Sequence, residues 1–145
     1  MQASADPEGT RIIWPDRPAD VEISLDVPAP GKPRMTQRSK WRKTPGITKY
    51  YAFADRLRAE APSIPAASTV VLLAVTAYYA PPRSWSRKKT LAAFGSVKRS
   101  KPDGSNILKG VEDILWPNDD QALGDCHVGR WWATRDAVFV SIWTA

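Results

Sequence analysis

Residues 101–121 read KPDGSNILKGVEDILWPNDDQ, and this stretch decides the predicted fold. Apolar side chains recur at the spacing of one helix face, which predicts a helix over residues 105–115 with Ser105 as its N-cap. The apolar positions are Ile107, Leu108, Val111, Ile114 and Leu115. Asn106, Lys109 and Asp113 fall together on the opposite face. The predicted helix therefore combines a core-facing stripe with a polar face.

Carboxylates stand at both ends of this predicted helix. Asp103 precedes it, and Asp119 and Asp120 follow it in an acidic loop. A helix of this length spans ~15 Å, so its two ends meet only if the chain doubles back. In that case the carboxylates converge with Lys109 and offer oxygen ligands suited to Mg²⁺, or alternatively Mn²⁺. Such an ion neutralises charge on a phosphate, and a nearby lysine stabilises the transition state.

A simpler interpretation of the same residues, without a metal site, stays open at this point. A helix with solvated acidic ends would leave Lys109 and Asp113 as an ordinary i,i+4 pair. Zinc is not favoured, because a tetrahedral site needs about four ligands and the chain has one Cys and one His. The sequence also contains no glycine-rich phosphate-binding loop, which argues against nucleotide hydrolysis.

The remaining segments alternate between strand and helix patterns. We predict strands at 21–27, 68–79, 96–99, 127–133 and 137–143, with helices at 47–61 and 84–94. A turn at 134–136 joins the last two strands. This order predicts a single small α+β domain, with helices packed on a mixed or mostly antiparallel sheet. The domain would cover residues 21–145, after a flexible N-terminal tail of residues 1–20.

The charge of the chain favours a polyanionic partner. Lys and Arg number 21 against 15 Asp and Glu, which gives a net charge of +6. Two basic segments are predicted to contact the phosphates of a nucleic acid, although a solvated basic loop is the alternative for the first. The residues predicted to make these contacts are Lys32, Arg34, Arg38, Lys40, Arg42, Lys43, Arg87, Lys88 and Lys89.

Other features of the sequence favour a soluble cytoplasmic protein. The single cysteine, Cys126, excludes an internal disulfide framework and fits a reducing compartment. The N-terminus has no basic, apolar pattern of a signal peptide, and the longest apolar run, residues 69–82, is shorter than the roughly 20 residues of a membrane span. No basic amphipathic helix points to a membrane surface.

The motif quoted at the outset resembles the signature of the RusA family of Holliday junction resolvases. The matching positions are Lys101, Pro102, Asp103, Asn106, Lys109 and Asp113, followed by the block at 118–121. A Gly-Lys-Pro-Arg segment at 31–34 after the first strand, and a strand hairpin after the acidic block, are also similar to the family. The resemblance implies a homodimeric, Mg²⁺-dependent endonuclease of bacterial or phage origin that nicks four-way DNA junctions.

The resemblance also implies roles for individual residues. Asp103, Lys109 and Asp120 correspond to the catalytic residues, and Asp103, Asp119 and Asp120 to the metal ligands. Ser105, Asn106 and Asp113 would support them. Ser105 is a departure, because the family motif has an aspartate there and serine is a weak neutral ligand.

Two alternatives to a competent nuclease stay open. The departure at Ser105 suggests a catalytically weakened junction-binding protein. The second alternative, in a different class, is a basic nucleic-acid-binding module without enzymatic activity, whose acidic cluster is only surface. Ser105→Asp would restore nicking under the first alternative. Asp120→Asn would change no activity under the second.

Overall fold

The computed structural model describes residues 15–34, 44–61 and 63–145. Four strands and three α-helices are found in these ranges. The strands are β1 (Val21–Leu25), β2 (Val70–Tyr79), β3 (Asp125–Trp132) and β4 (Ala137–Thr144). The helices are α1 (Pro45–Glu60), α2 (Arg87–Ala93) and α3 (Gly104–Leu115). Residues 1–14 of the predicted tail and the predicted DNA contacts Arg38, Lys40, Arg42 and Lys43 lie outside the described residues.

The four strands form one mixed sheet in the order β1-β4-β2-β3 across the described chain. β4 is antiparallel to both β1 and β2, whereas β3 is parallel to β2. This confirms the predicted α+β class with helices on a mixed sheet. The predicted hairpin between the last two strands is wrong, because β2 lies between β3 and β4. β2 is the longest apolar strand, and buried strands of this kind take the centre of a sheet with partners on both sides.

The predicted short strand at 96–99 is also wrong as a full strand. Val97 forms an isolated antiparallel bridge to Trp131. Its neighbours complete the pairing through Lys98 N–H to the Arg130 carbonyl at 3.0 Å and Trp132 N–H to the Ser96 carbonyl at 2.9 Å. The segment before the motif is thereby held against the edge of β3.

Helix α1 begins two residues earlier than predicted, at Pro45. Thr44 is the N-cap, and its hydroxyl accepts a hydrogen bond from the Ile47 amide at 3.4 Å. Proline is favoured in this first turn because it lacks the amide hydrogen that a helix start leaves unpaired. The buried face of α1 is made by Ile47, Tyr50, Phe53, Ala54 and Leu57.

Helix α3 matches its predicted amphipathic stripe, since Ile107, Val111 and Ile114 are buried. The predicted N-cap is wrong: the helix begins at Gly104, so Asp103 is the cap and Ser105 is already inside the first turn. Asp103 has extended backbone angles, and its carbonyl accepts the first helical bond from the Ile107 amide at 3.1 Å. Asp103 and Ser105 therefore both stand at the positive end of the helix dipole.

The described part of the predicted tail, residues 15–20, is bonded to β4. The Asp20 amide donates to the Ile142 carbonyl at 2.8 Å, and the Asp20 carboxylate accepts from the Thr144 amide at 2.7 Å. The Trp143 indole donates to the Arg17 carbonyl at 2.9 Å. Contacts with the sheet thus start before Val21. In the described ranges no helix is long and apolar enough to cross a membrane.

Candidate active site

Lys109 joins two carboxylates on the polar face of α3. Its Nζ lies 2.5 Å from an Asp120 carboxylate oxygen and 3.4 Å from an Asp113 carboxylate oxygen. Lys32 donates to the other oxygen of Asp113 from the loop after β1. Cations and carboxylates therefore alternate along this face, in the order Lys32, Asp113, Lys109 and Asp120.

The chain reaches this arrangement by turning back after α3. The Trp116 indole donates to the Pro65 carbonyl at 2.9 Å, and the Asp119 amide donates to the Trp116 carbonyl at 3.3 Å. A 3₁₀ turn at Asp120–Ala122 follows. These contacts direct the Asp120 side chain to Lys109 in the middle of the helix, whereas Asp103 lies at its start, so convergence of the acids themselves stays a prediction.

The charges in this cluster stabilise one another. The hydrogen bond from Lys109 holds the pKa of Asp120 below its usual value. The same bond, reinforced by the nearby Asp113 carboxylate, raises the pKa of Lys109. At neutral pH Asp120 is therefore a carboxylate and Lys109 is a cation.

Asn106 fixes the loop that carries Lys32. Its side-chain amide donates to the Lys32 carbonyl at 3.1 Å, and its own carbonyl accepts from the Lys32 amide at 3.3 Å. Gly31 lies so close that an added Cβ would stand 2.6 Å from the Asn106 amide nitrogen. The Tyr79 hydroxyl donates to the Ala29 carbonyl at 2.6 Å. Asn106 is thus a structural support for this loop, and its predicted role beside the catalytic residues stays a prediction.

Two cations that the sequence did not single out hold the segment before Asp103. Lys98 is 5% exposed, and its Nζ donates to the Ser100 carbonyl and hydroxyl, both at 2.9 Å, and to the Lys101 carbonyl. Arg130 donates to the carbonyls of Ser100 at 2.8 Å and Pro102 at 2.9 Å. Bonds of this kind leave no side-chain motif, which is why sequence reasoning missed them.

The environment of Lys98 is otherwise aromatic. Its Nζ lies 4.9 Å from the centre of the Tyr79 ring and 5.2 Å from that of Trp132. Burial lowers the pKa of Lys98, and the nearby Arg130 guanidinium lowers it further. Burying a charged amine is unfavourable, and the carbonyls of residues 100 and 101 and the two rings offset this cost. Lys98 therefore stabilises the backbone that precedes Asp103.

Asp103 and Lys109 line a common cleft of about 1250 Å³. The cleft lies between α1, the loop after β1 and the first turns of α3. From the motif it is lined by Lys101, Pro102, Asp103, Ser105, Asn106 and Lys109. Asp113, Asp119 and Asp120 are not part of this lining. Lys109 therefore connects the cleft that holds Asp103 to the cluster that holds Asp120.

The other predicted residues that the structure describes are exposed. Asp119 is exposed in the turn after α3. Arg34 is exposed at the end of the loop after β1, and Arg87, Lys88 and Lys89 are exposed on α2. Lys89 Nζ stands 4.1 Å from the centre of the Trp85 ring, which itself packs at 4.9 Å on Trp132. These residues are placed as surface cations, and DNA contact by them stays a prediction.

The donor chemistry of the site fits a hard divalent ion. Across the described ranges, no three His, Cys, Asp or Glu side chains converge to hold a metal ion. Mg²⁺ does not require this number, since it is commonly bound by one or two carboxylates together with phosphate oxygens and water. Cys126 adds no reactive thiolate, because burial raises its pKa to about 12.

A mixed sheet with three helices, a carboxylate and lysine cluster and an adjacent cleft defines a small α+β protein. The family model for endodeoxyribonuclease RusA matches residues 30–143, and the chain belongs to this family. Membership implies Holliday junction resolvase activity, as the motif predicted. No curated protein and no solved structure matches the chain.

Proposed function

We propose that this chain resolves four-way DNA junctions by divalent-metal-dependent hydrolysis of a phosphodiester bond, as a homodimer. One observation carries the proposal: Lys109 forms an ion pair with Asp120 and also lines the cleft that contains Asp103. This arrangement puts the Lys109 cation between the Asp120 carboxylate, outside the cleft, and Asp103 inside it. Family membership supports the substrate class.

The protein residues have separate roles in this proposal. Lys109 stabilises the negative charge that develops on the phosphate, and its own charge is secured by Asp120 and Asp113. Asp103, at the start of α3, faces the cleft through which the strand would pass. Lys98 and Arg130 keep the backbone before Asp103 in place, so that Asp103 needs little rearrangement when DNA binds.

Asp103 and Asp120 are the proposed ligands of the Mg²⁺ ion, with Asp119 adjacent and Mn²⁺ as an alternative ion. The ion would supply Lewis acidity that neutralises charge on the scissile phosphate. Mg²⁺ is usually bound by one or two protein carboxylates together with phosphate oxygens and water, so two carboxylates are enough when a phosphate is bound beside them. Removal of divalent ions with a chelator should therefore stop nicking and leave junction binding in place.

Ser105 favours a second candidate, a junction-binding protein with weakened catalysis. Its side chain is exposed in the cleft beside Asp103, where the family motif has an aspartate. The Ser105→Asp change adds a carboxylate in the first turn of α3, where the helix dipole favours negative charge. The fold should accept this change without loss of stability.

A nicking assay tests both candidates. Wild type and Ser105→Asp are compared on four-way, forked and linear DNA with Mg²⁺, with Mn²⁺ and with EDTA. The proposed function predicts metal-dependent nicking of four-way DNA by wild type. Binding without nicking by wild type, with nicking restored in Ser105→Asp, would establish the weakened protein instead. A wild type that neither binds nor nicks branched DNA rules out both.

A further inference from the structure

The cleft beside Asp103 carries more positive charge than the motif supplies. Its lining contains Lys49, Arg56, Lys101 and Lys109 but one carboxylate, Asp103. Lys49 and Arg56 come from α1, on the opposite side of the cleft from α3. Neither belongs to the basic segments at 32–43 and 87–89 that the sequence singled out.

The two α1 cations form a regular pair along one helix face. They are seven residues apart, which places them ~10.5 Å apart along the helix axis and nearly in line around it. Both side chains are exposed. Ala52 and Phe53 lie between them in sequence and also line the cleft, so this face of α1 forms a wall with an apolar centre and a cation near each end.

These charges are not neutralised by their own helix. Among the described residues, the ion pair within α1 joins Arg58 to Asp55 at 3.8 Å, and neither of these lines the cleft. Lys49 and Arg56 form no ion pair within the same ranges. Cations without an ion-pair partner that share a cleft attract polyanions strongly, because their fields add, and the four cations of this cleft outnumber its one carboxylate, Asp103.

We propose that Lys49 and Arg56 bind the sugar-phosphate backbone of the DNA strand that is to be cut, and so hold it against Asp103 and Lys109. This inference rests on the proposed function and identifies the face of α1 with Lys49 and Arg56 as the surface that binds the strand. The cleft is too large for a lone phosphate ion. Its apolar lining, from Val27 to Pro30 and from Phe53 and Tyr79, suits the sugars and bases of a strand.

Salt dependence of junction binding tests the inference, because each phosphate contact contributes about 0.9 to the slope of log affinity against log salt. The Lys49→Gln/Arg56→Gln double variant should lower the slope by about 1.8, and each single variant by about half of that. Between about 50 and 200 mM salt, wild type should therefore lose about tenfold more affinity than the double variant. Binding is measured in EDTA, so that the DNA stays intact.

The Arg58→Gln variant is the matched control. It removes one exposed cation from the same helix but outside the cleft, and its slope should equal that of wild type. Single-turnover nicking by the double variant at low salt should also fall, because the strand is held less firmly. All exchanges are at exposed positions, and thermal unfolding of each variant checks that the fold is kept.

Two outcomes would overturn the inference in different ways. If wild type nicks junctions and the double variant keeps the wild-type slope, the α1 wall does not contact phosphate, while the proposed function stands. If wild type neither binds nor nicks branched DNA, the proposed function fails and the inference fails with it.

Discussion

At the scale of single residues, Lys109 links the parts of the site. It bonds to Asp120, lies within ion-pair distance of Asp113, and lines the cleft with Asp103. The attraction keeps Lys109 charged and holds the pKa of Asp120 low. The lysine therefore keeps its carboxylate partner Asp120 ionised in mild acid.

Replacing Lys109 by Met should therefore change both the rate of nicking and its pH dependence. The pKa of Asp120 should rise, because the hydrogen bond that lowers it is lost, and the acidic limb of the rate profile should move to higher pH. The rate at neutral pH should fall by about 10²- to 10³-fold, with a smaller effect on binding. Single-turnover nicking across the acid range measures both effects.

Arg135→Met is the control for this change, since Arg135 is an exposed cation that pairs with Asp26 away from the site. It should keep the wild-type profile. An acidic limb that stays in place in Lys109→Met would show that the ionisation of Asp120 does not govern the rate.

At the scale of elements, the sequence predicted what periodic patterns encode and missed what depends on neighbours in space. The stripe of Ile107, Val111 and Ile114 placed α3 to within one residue. The pairing of β3 with β2 rather than with β4 was missed, because strand patterns carry no information about partners. The N-cap was misplaced because both Asp103 and Ser105 are good capping residues.

The same distinction applies to the site. The return of the chain that brings Asp120 to Lys109 was required by the motif and is present. The contacts of Lys98 and Arg130 with backbone carbonyls have no sequence pattern, and Lys49 and Arg56 became relevant only when α1 was placed across the cleft. Neighbours within the motif were thus predictable from the sequence, whereas neighbours brought together by the fold were not.

The contacts of Lys98 with the backbone before Asp103 lead to a prediction about stability and activity. Lys98→Met should leave the Lys101 carbonyl without its buried donor and the Ser100 carbonyl with Arg130 as its remaining donor, which costs about 1–3 kcal/mol of unfolding free energy. Because the segment carries Asp103, nicking should fall further than junction affinity. Denaturant unfolding, nicking rates and binding measured on one preparation separate these effects.

Arg99→Met provides the comparison, because Arg99 is the exposed neighbour of Lys98 on the same segment. It should unfold and nick as wild type does. If Lys98→Met lowers stability but leaves the nicking rate of the folded protein unchanged, Lys98 supports the core and does not position Asp103.

At the scale of the whole molecule, the described part of one chain supplies one cluster of Lys109 with Asp113 and Asp120, whereas resolution of a junction requires two cuts. A homodimer with twofold symmetry would present two such sites to a junction that has approximate twofold symmetry itself. The net charge of +6 favours association with this polyanion. Homodimer formation and cutting of paired strands remain proposals that follow from family membership.

The measurement that tests the central claim most directly compares nicking and binding of four-way DNA by wild type, Asp103→Asn and Asp120→Asn. Asp55→Asn, an exposed exchange on α1, is the control. Loss of either carboxylate should reduce metal-dependent nicking at least about 100-fold. Binding should be kept or become tighter, because a negative charge near phosphate is removed. Nicking at the wild-type rate by both variants would contradict the assignment of this cluster as the active site.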